Sequence, residues 1–137
     1  MTSDLLAGSG PHWTRAAPAS PSALEALRST YPSLPSDYIS LLGQSNGGEG
    51  ELGIDPGWFQ LWPAEAVASL NEGYELSSAL PGWVGIGSSG GGECIAVAPD
   101  GRIFMVPFIP LTTEEALCIA ATVAAFAASF GHPSDAA

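Results

Sequence analysis

The residues 85–92 carry two patterns with the form of chemical motifs. Gly85-Ile86-Gly87-Ser88-Ser89-Gly90 fits GxGxxG, which in a dinucleotide-binding unit lets a backbone approach a pyrophosphate held on a helix N-terminus. That mechanism needs a helix directly after the glycines, and here a strand-like Glu93-Cys94-Ile95-Ala96-Val97-Ala98 follows. Gly87-Ser88-Ser89-Gly90-Gly91 also fits GxSxG, with Ser89 in the nucleophile's place. A nucleophile elbow needs a strand-to-helix turn and a positioned imidazole. The chain has two histidines, His12 near its start and His132 in a Pro-Ser-Asp tail. Neither is a base that the sequence positions. Carboxylate pairs occur at Glu49 with Glu51 and at Glu72 with Glu75, but acid/base work needs an apolar pocket to separate two pKa values. A Gly-rich loop and a helix end predict solvated acids instead. Glu49, Glu51 and Asp55 lack the ligand order of an EF-hand. Cys94 and Cys118 stand in apolar stretches without His or Cys at metal-ligand spacing, so both are expected as buried thiols. No catalytic residue, metal or cofactor is expected, and the chain reads as a binding protein and not an enzyme.

The charge balance narrows the class of partner. Fourteen Asp and Glu stand against three Arg and no Lys, for a net charge of −11. Arg15, Arg28 and Arg102 are scattered, whereas nucleic-acid binding needs clustered cations to displace counterions from phosphates. Anionic membrane surfaces are disfavoured on the same ground. A basic protein partner suits this charge, because complementary fields speed encounter. Acidity also keeps a protein soluble, and that plainer account stays open. No cationic segment precedes the short Leu5-Leu6-Ala7 run, so a cytoplasmic location is expected. The uncharged stretch Ala116–Gly131 is too short and too Ala-rich to span a bilayer and predicts a buried helix.

The elements that must carry these residues can be read from pattern and punctuation. Residues 1–19 mix Gly, Ser, Pro and Ala and predict a flexible or loosely docked leader, with Trp13 as its one anchor. A first helix is expected from Pro21 to Tyr31, with Ser22 and Glu25 at capping-box spacing. A second is expected over Ser36–Gln44 after Pro35, stopped by Asn46-Gly47-Gly48. Trp58–Trp62 reads as a strand, and Pro63 with Glu65 opens a third helix to about Asn71. Strands are expected at Trp83–Gly87, Glu93–Ala98 and Arg102–Pro107, with Pro99-Asp100-Gly101 as a hairpin turn. Thr112 and Glu115 have capping-box spacing for a last helix ending near Phe130, with Gly131 as its cap. That helix is apolar nearly all round, which predicts core burial or a share in a homodimer. The order gives a single α+β domain over 20–131, an antiparallel or mixed sheet backed by helices, with 132–137 as a disordered tail.

Four segments taken in order carry a resemblance. They are LPSDYISLLGQSNGGEGELG, FQLWPAEAVASLNEGYEL, GWVGIGSSGGGECIAVAPDGRIFMVPF and LTTEEALCIAATVAAFAASFG. Together, across about residues 24–131, the chain resembles the SUKH superfamily, the group of fungal cell-wall-assembly regulators and bacterial immunity proteins. The resemblance implies an α+β fold without catalytic residues. It further implies a protein that neutralises a toxin domain, often a nuclease, or else a regulatory or scaffold module. Asn46, Gly47 and Gly48 match the family's turn after the second helix, and Leu61 and Trp62 its strand-to-helix junction. Gly87, Gly90, Gly91, Gly92 and Glu93 match its glycine-rich turn and acid. The glycines are expected to be structural. Glu93 is expected either to serve that turn or to face a partner. A basic toxin domain would meet Glu49, Glu51, Asp55 and Trp58, which put carboxylates and an aromatic anchor on one Gly-rich segment. The competing placement has Trp58 under the sheet and the acids facing water.

Overall fold

The structure is a computed structural model that describes residues 4–133. Seven strands form one antiparallel sheet in sequence order: β1 (Trp13–Arg15), β2 (Gly48–Glu51), β3 (Trp58–Leu61), β4 (Val84–Ser88), β5 (Glu93–Val97), β6 (Ile103–Pro107) and β7 (Leu117–Ala120). Five helices accompany it: α1 (Pro21–Thr30), α2 (Ser36–Gln44), α3 (Ala64–Gly73), α4 (Leu76–Ala79) and α5 (Val123–Ala128). The α+β class is as expected, and every strand pair is antiparallel.

Local chemistry accounts for most helix ends. Ser20 caps α1, its hydroxyl accepting from the Ala23 N–H at 3.2 Å, and Pro21 opens the helix. The cap is therefore Ser20 and not Ser22. The α2 helix matches the expected range and turns Tyr38, Ile39, Leu41 and Leu42 inward. Gly47 and Gly48 follow with φ of 97° and 130°, which glycine alone adopts cheaply. In β3, Phe59 and Leu61 are buried while Trp58 and Gln60 face out, the period-2 alternation of a one-sided strand.

Two segments depart from the sequence reading. The leader expected at 1–19 is, over its described part, built into the domain. Leu5 and Leu6 are buried, and the Gly10 and His12 N–H groups donate to the carbonyls of Phe130 and Gly131 at 2.7 and 3.0 Å. Trp13 is an anchor as expected, its ring 5.3 Å from Phe130 and 5.9 Å from Phe59, which themselves stack at 4.0 Å. Burial of the two leucines and packing of the Trp13 ring act together with these backbone hydrogen bonds against the entropy of ordering the small residues between them. Of the expected tail, His132 and Pro133 are described, with the His132 ring 2.7 Å from the Gly8 carbonyl. Residues 1–3 and 134–137 lie outside the described residues.

The second departure is at the C-terminal end. The single helix expected from Thr112 to Phe130 is a 3-10 turn (Thr113–Glu115), then β7, then the six-residue α5. Thr112 makes no side-chain cap; Thr122 caps instead, accepting from the Ala125 N–H at 3.0 Å. The β6 strand offers Leu117–Ala120 an edge to pair with, and that pairing outweighs the helix preference of the alanines around it. Cys118 consequently lies exposed on β7, not buried as expected, while Cys94 on β5 is fully buried.

Asn71 stitches α3 to the sheet. Strands β3 and β4 part once the Trp62 N–H has donated to the Ile86 carbonyl at 2.9 Å, where the chain turns toward α3. Gly85 then has no β3 residue opposite it. The buried Asn71 amide takes that place: it donates to the Gly85 carbonyl at 2.9 Å and accepts from the Gly85 N–H at 2.8 Å. It also donates to the Val67 carbonyl within α3 at 2.7 Å. A side chain at position 85 would strike Leu76 and Trp62, so the glycine is required by close packing.

Candidate functional site

The GxGxxG and GxSxG patterns lie on β4 and the turn into β5. A strand, and not a helix, follows the glycines, so the anion site that the first pattern needs is not built. Ser89 is committed to the turn. Its hydroxyl donates to the Glu93 carboxylate at 2.7 Å and accepts from the Gly91 and Glu93 N–H groups at 3.1 and 3.3 Å. The imidazoles are elsewhere, His12 beside Glu51 and His132 beside Gly8. Glu93 thus holds the glycine turn through Ser89. Gly90 has φ of 78°, and Gly87 is pressed against the Gln60 carbonyl. Gly91 and Gly92 have neither a positive φ nor a crowded α-carbon.

The acidic segment is a sheet surface. Strand β2 alternates, with Glu49 and Glu51 outward and Gly50 buried between them. In the β2–β3 register Glu49 opposes Gln60 and Glu51 opposes Trp58, and opposed residues of an antiparallel pair share a face. Trp58 is 42% exposed and lies against Gly90 of the neighbouring turn. The placement of Trp58 beneath the sheet is therefore not the one observed. The Gln60 amide donates to Glu49 at 3.5 Å, and the Ser88 hydroxyl donates to the Gln60 side-chain oxygen at 3.2 Å. On the other flank, β1 brings Thr14 opposite Glu49, and the His12 ring stands 3.8 Å from the Glu51 carboxylate. A depression of about 510 Å³ runs between His12, Thr14, Glu49 and Trp58. Asp55 is exposed on the turn joining β2 to β3, off the sheet face. Among the described residues, no group of three or more His, Cys, Asp or Glu is placed to hold a metal ion.

The structure thus brings Glu49, Glu51 and Trp58 onto one face and leaves Asp55 and Glu93 at its margins. It adds Thr14, Gln60 and Ser88, which the sequence reading missed. Gln60 was within reach of that reading, since Trp58 and Gln60 are two apart on one strand. Thr14 and Ser88 arrive only through pairing with distant strands. No arginine makes an ion pair with Glu49 or Glu51; the described arginine pairs are Arg28 with Glu25 and Arg102 with Asp100. Among the described residues no helix is long and apolar enough to cross a membrane.

A family model described as SMI1 / KNR4 family (SUKH-1) matches residues 18–129, most of the chain. The match covers the whole described sheet except β1. No curated protein matches the chain.

Proposed function

The chain belongs to the SMI1 / KNR4 family (SUKH-1), and from that premise we propose that it is a non-catalytic protein-binding domain that neutralises a basic toxin domain. The observation that carries this reading is the open face of β2 and β3. There two carboxylates that no arginine pairs with, Glu51 having the His12 ring beside it, accompany an exposed tryptophan. A nuclease that grips phosphate presents a basic cleft, and Glu49 and Glu51 can occupy it as phosphate does. Trp58 supplies the desolvated anchor that such interfaces concentrate their energy on. The net charge of −11, with no lysine, steers a basic partner from a distance and rejects acidic ones. Asp55 at the hairpin tip and Glu93 at the glycine turn extend the negative rim, and the site works in the cytoplasm.

The test is affinity capture of the tagged chain from the cells that make it. The expected result is one stoichiometric partner that kills cells when expressed alone and is silenced by this chain. Association of that partner should slow when Glu49, Glu51 and Asp55 are all replaced by Lys. Added salt should slow the wild type more than the variant. A spread of weak regulatory partners, or on-rates indifferent to both charge and salt, would overturn the reading.

A further inference from the structure

Glu72 has no part in the β2–β3 face and stands at a separate recess. This recess, of about 310 Å³, lies among the end of α1, α3, α4 and the start of β4, and it shares no residue with β1, β2 or β3. Tyr31 and Trp83 form its aromatic walls. Both rings are half-buried against the core, and Trp83 rests on Phe104 at 4.8 Å, so they are fixed in place before any ligand arrives. The backbone reverses at Glu75, with φ of 56°, and returns Ser77 of α4 to the same recess as Glu72 of α3. Among the described residues the Glu72 carboxylate and the Tyr31 and Ser77 hydroxyls make no hydrogen bond or ion pair. Burial, and after it the Glu72 charge, hold the Tyr31 hydroxyl above the ordinary tyrosine value, so the two side chains lie within each other's field. Among the described residues no cation lines the recess. Arg102, the cation nearest along the aromatic row, sits 5.0 Å over Phe104 and bonds to Asp100.

We propose that this recess takes the side chain of one lysine from a protein partner, its stem against Tyr31 and Trp83 and its ammonium on Glu72, Tyr31 and Ser77. Charge selects the occupant. An unpaired carboxylate beside two aromatic rings attracts a cation through both the ion pair and the ring quadrupoles, and it repels an anion. An ammonium has three donors and no acceptor, which suits the three unspent oxygens. Its slim four-carbon stem enters a recess where a planar guanidinium would need a flat approach. The volume stands at the small end of ligand pockets, about 300–1,000 Å³, and so suits one side chain. The net charge of −11 draws such a partner in. That the lysine comes from a protein rests on reading the chain as a protein-binding domain; the chemistry of the recess does not depend on where that domain's main face lies.

NMR titration of the full chain with a terminally blocked Gly-Gly-Lys-Gly-Gly peptide tests this. The Trp83 indole N–H and the Ser77 amide should shift saturably, with a dissociation constant of about 1–10 mM, the scale of a single side-chain contact. The same peptide with norleucine for lysine keeps the stem without the charge and should not saturate. Glu72→Gln, at an exposed position, should weaken binding about threefold or more. Replacing Glu49, Glu51 and Asp55 together by Lys should leave the titration unchanged, so this site and the β2–β3 face stand or fall separately. The proposal is overturned by the absence of saturation up to about 50 mM peptide. It is equally overturned if potassium chloride at matched ionic strength gives the same shifts, if the norleucine peptide binds as well, or if Glu72→Gln has no effect. Loss of binding in the triple lysine variant overturns it too, because the peptide would then sit on the other face.

Discussion

Asn46 and Ala64 are 18 residues apart and are joined by a 2.7 Å hydrogen bond, the Ala64 N–H donating to the Asn46 side-chain oxygen. Ala64 opens α3, and Pro63 in the capping position has no side chain to offer. Asn46, at the end of the α2 turn, supplies the missing acceptor from outside the helix. Its amide nitrogen donates to the Glu65 carboxylate at 2.8 Å. One side chain thus caps α3 and fixes the first acid of that helix, and so sets where β3 ends and α3 begins.

Asn46→Ala should destabilise the domain by about 1–2 kcal/mol, the scale of a lost helix cap. The Asn46 hydrogen bond, with help from the Glu65 backbone, holds the Glu65 carboxyl below its usual 4.5. A lowered folded-state pKa adds stability above the unfolded value and loses it as pH falls through the folded one. The gap between wild type and Asn46→Ala should therefore narrow below about pH 4.5 without closing, because the Ala64 bond does not titrate. Urea melts at neutral and acid pH, with the Glu65 titration followed by NMR, check both parts.

Asn71→Ala should cost more, about 2–3 kcal/mol, because it leaves a buried N–H and C=O of Gly85 unpaired. The damage should be local to the β4 side of the sheet. Hydrogen exchange would show it as faster exchange of the Gly85 amide, with α2 unchanged. Equal loosening everywhere would deny Asn71 its place as a substitute strand residue.

Tyr38 is fully buried in α2, and its hydroxyl has no hydrogen-bond partner among the described residues. Burial holds its pKa above the ordinary tyrosine value. Tyr38→Phe keeps the ring and removes a polar group that lost its water without compensation. It should leave stability unchanged or raise it by about 1 kcal/mol. A large loss on thermal or urea unfolding would mean that the hydroxyl is bonded.

The two thiols should separate cleanly. Burial pushes the Cys94 thiol up to about 12, whereas Cys118 is exposed. A thiol reagent at mildly alkaline pH should modify one cysteine in the native chain and two in denaturant, and Cys118→Ser should abolish the native reaction. Because Cys94 ionises near 9 when unfolded and near 12 when folded, its share of stability is intact below pH 9 and declines above it. Cys94→Ala should flatten that alkaline decline in urea melts taken across the range.

Sequence alone determined what short-range chemistry can fix. The α2 range follows from Pro35, the apolar spacing of Tyr38, Leu41 and Leu42, and the Asn-Gly-Gly stop. The β4–β6 hairpins follow from Pro, Gly and Asp turns between apolar runs. Solvated Glu49 and Glu51 were expected from a Gly-rich loop, and the structure sets them on strand β2, whose alternation turns both outward. Tertiary structure decided whatever depends on a distant partner. The helix preference of Ala116–Phe130 gave way at Leu117–Ala120 because β6 had an open edge, and no local pattern shows a neighbour's vacancy. Trp13 became part of the domain because Phe59 and Phe130, far along the chain, supply the rings it packs against. The outer face of β2 and β3, with Thr14, Gln60 and Ser88 around Glu49 and Trp58, exists only through register. Register is a choice among long-range pairings that differ by burial of whole strand faces, and that energy is settled when the sheet assembles.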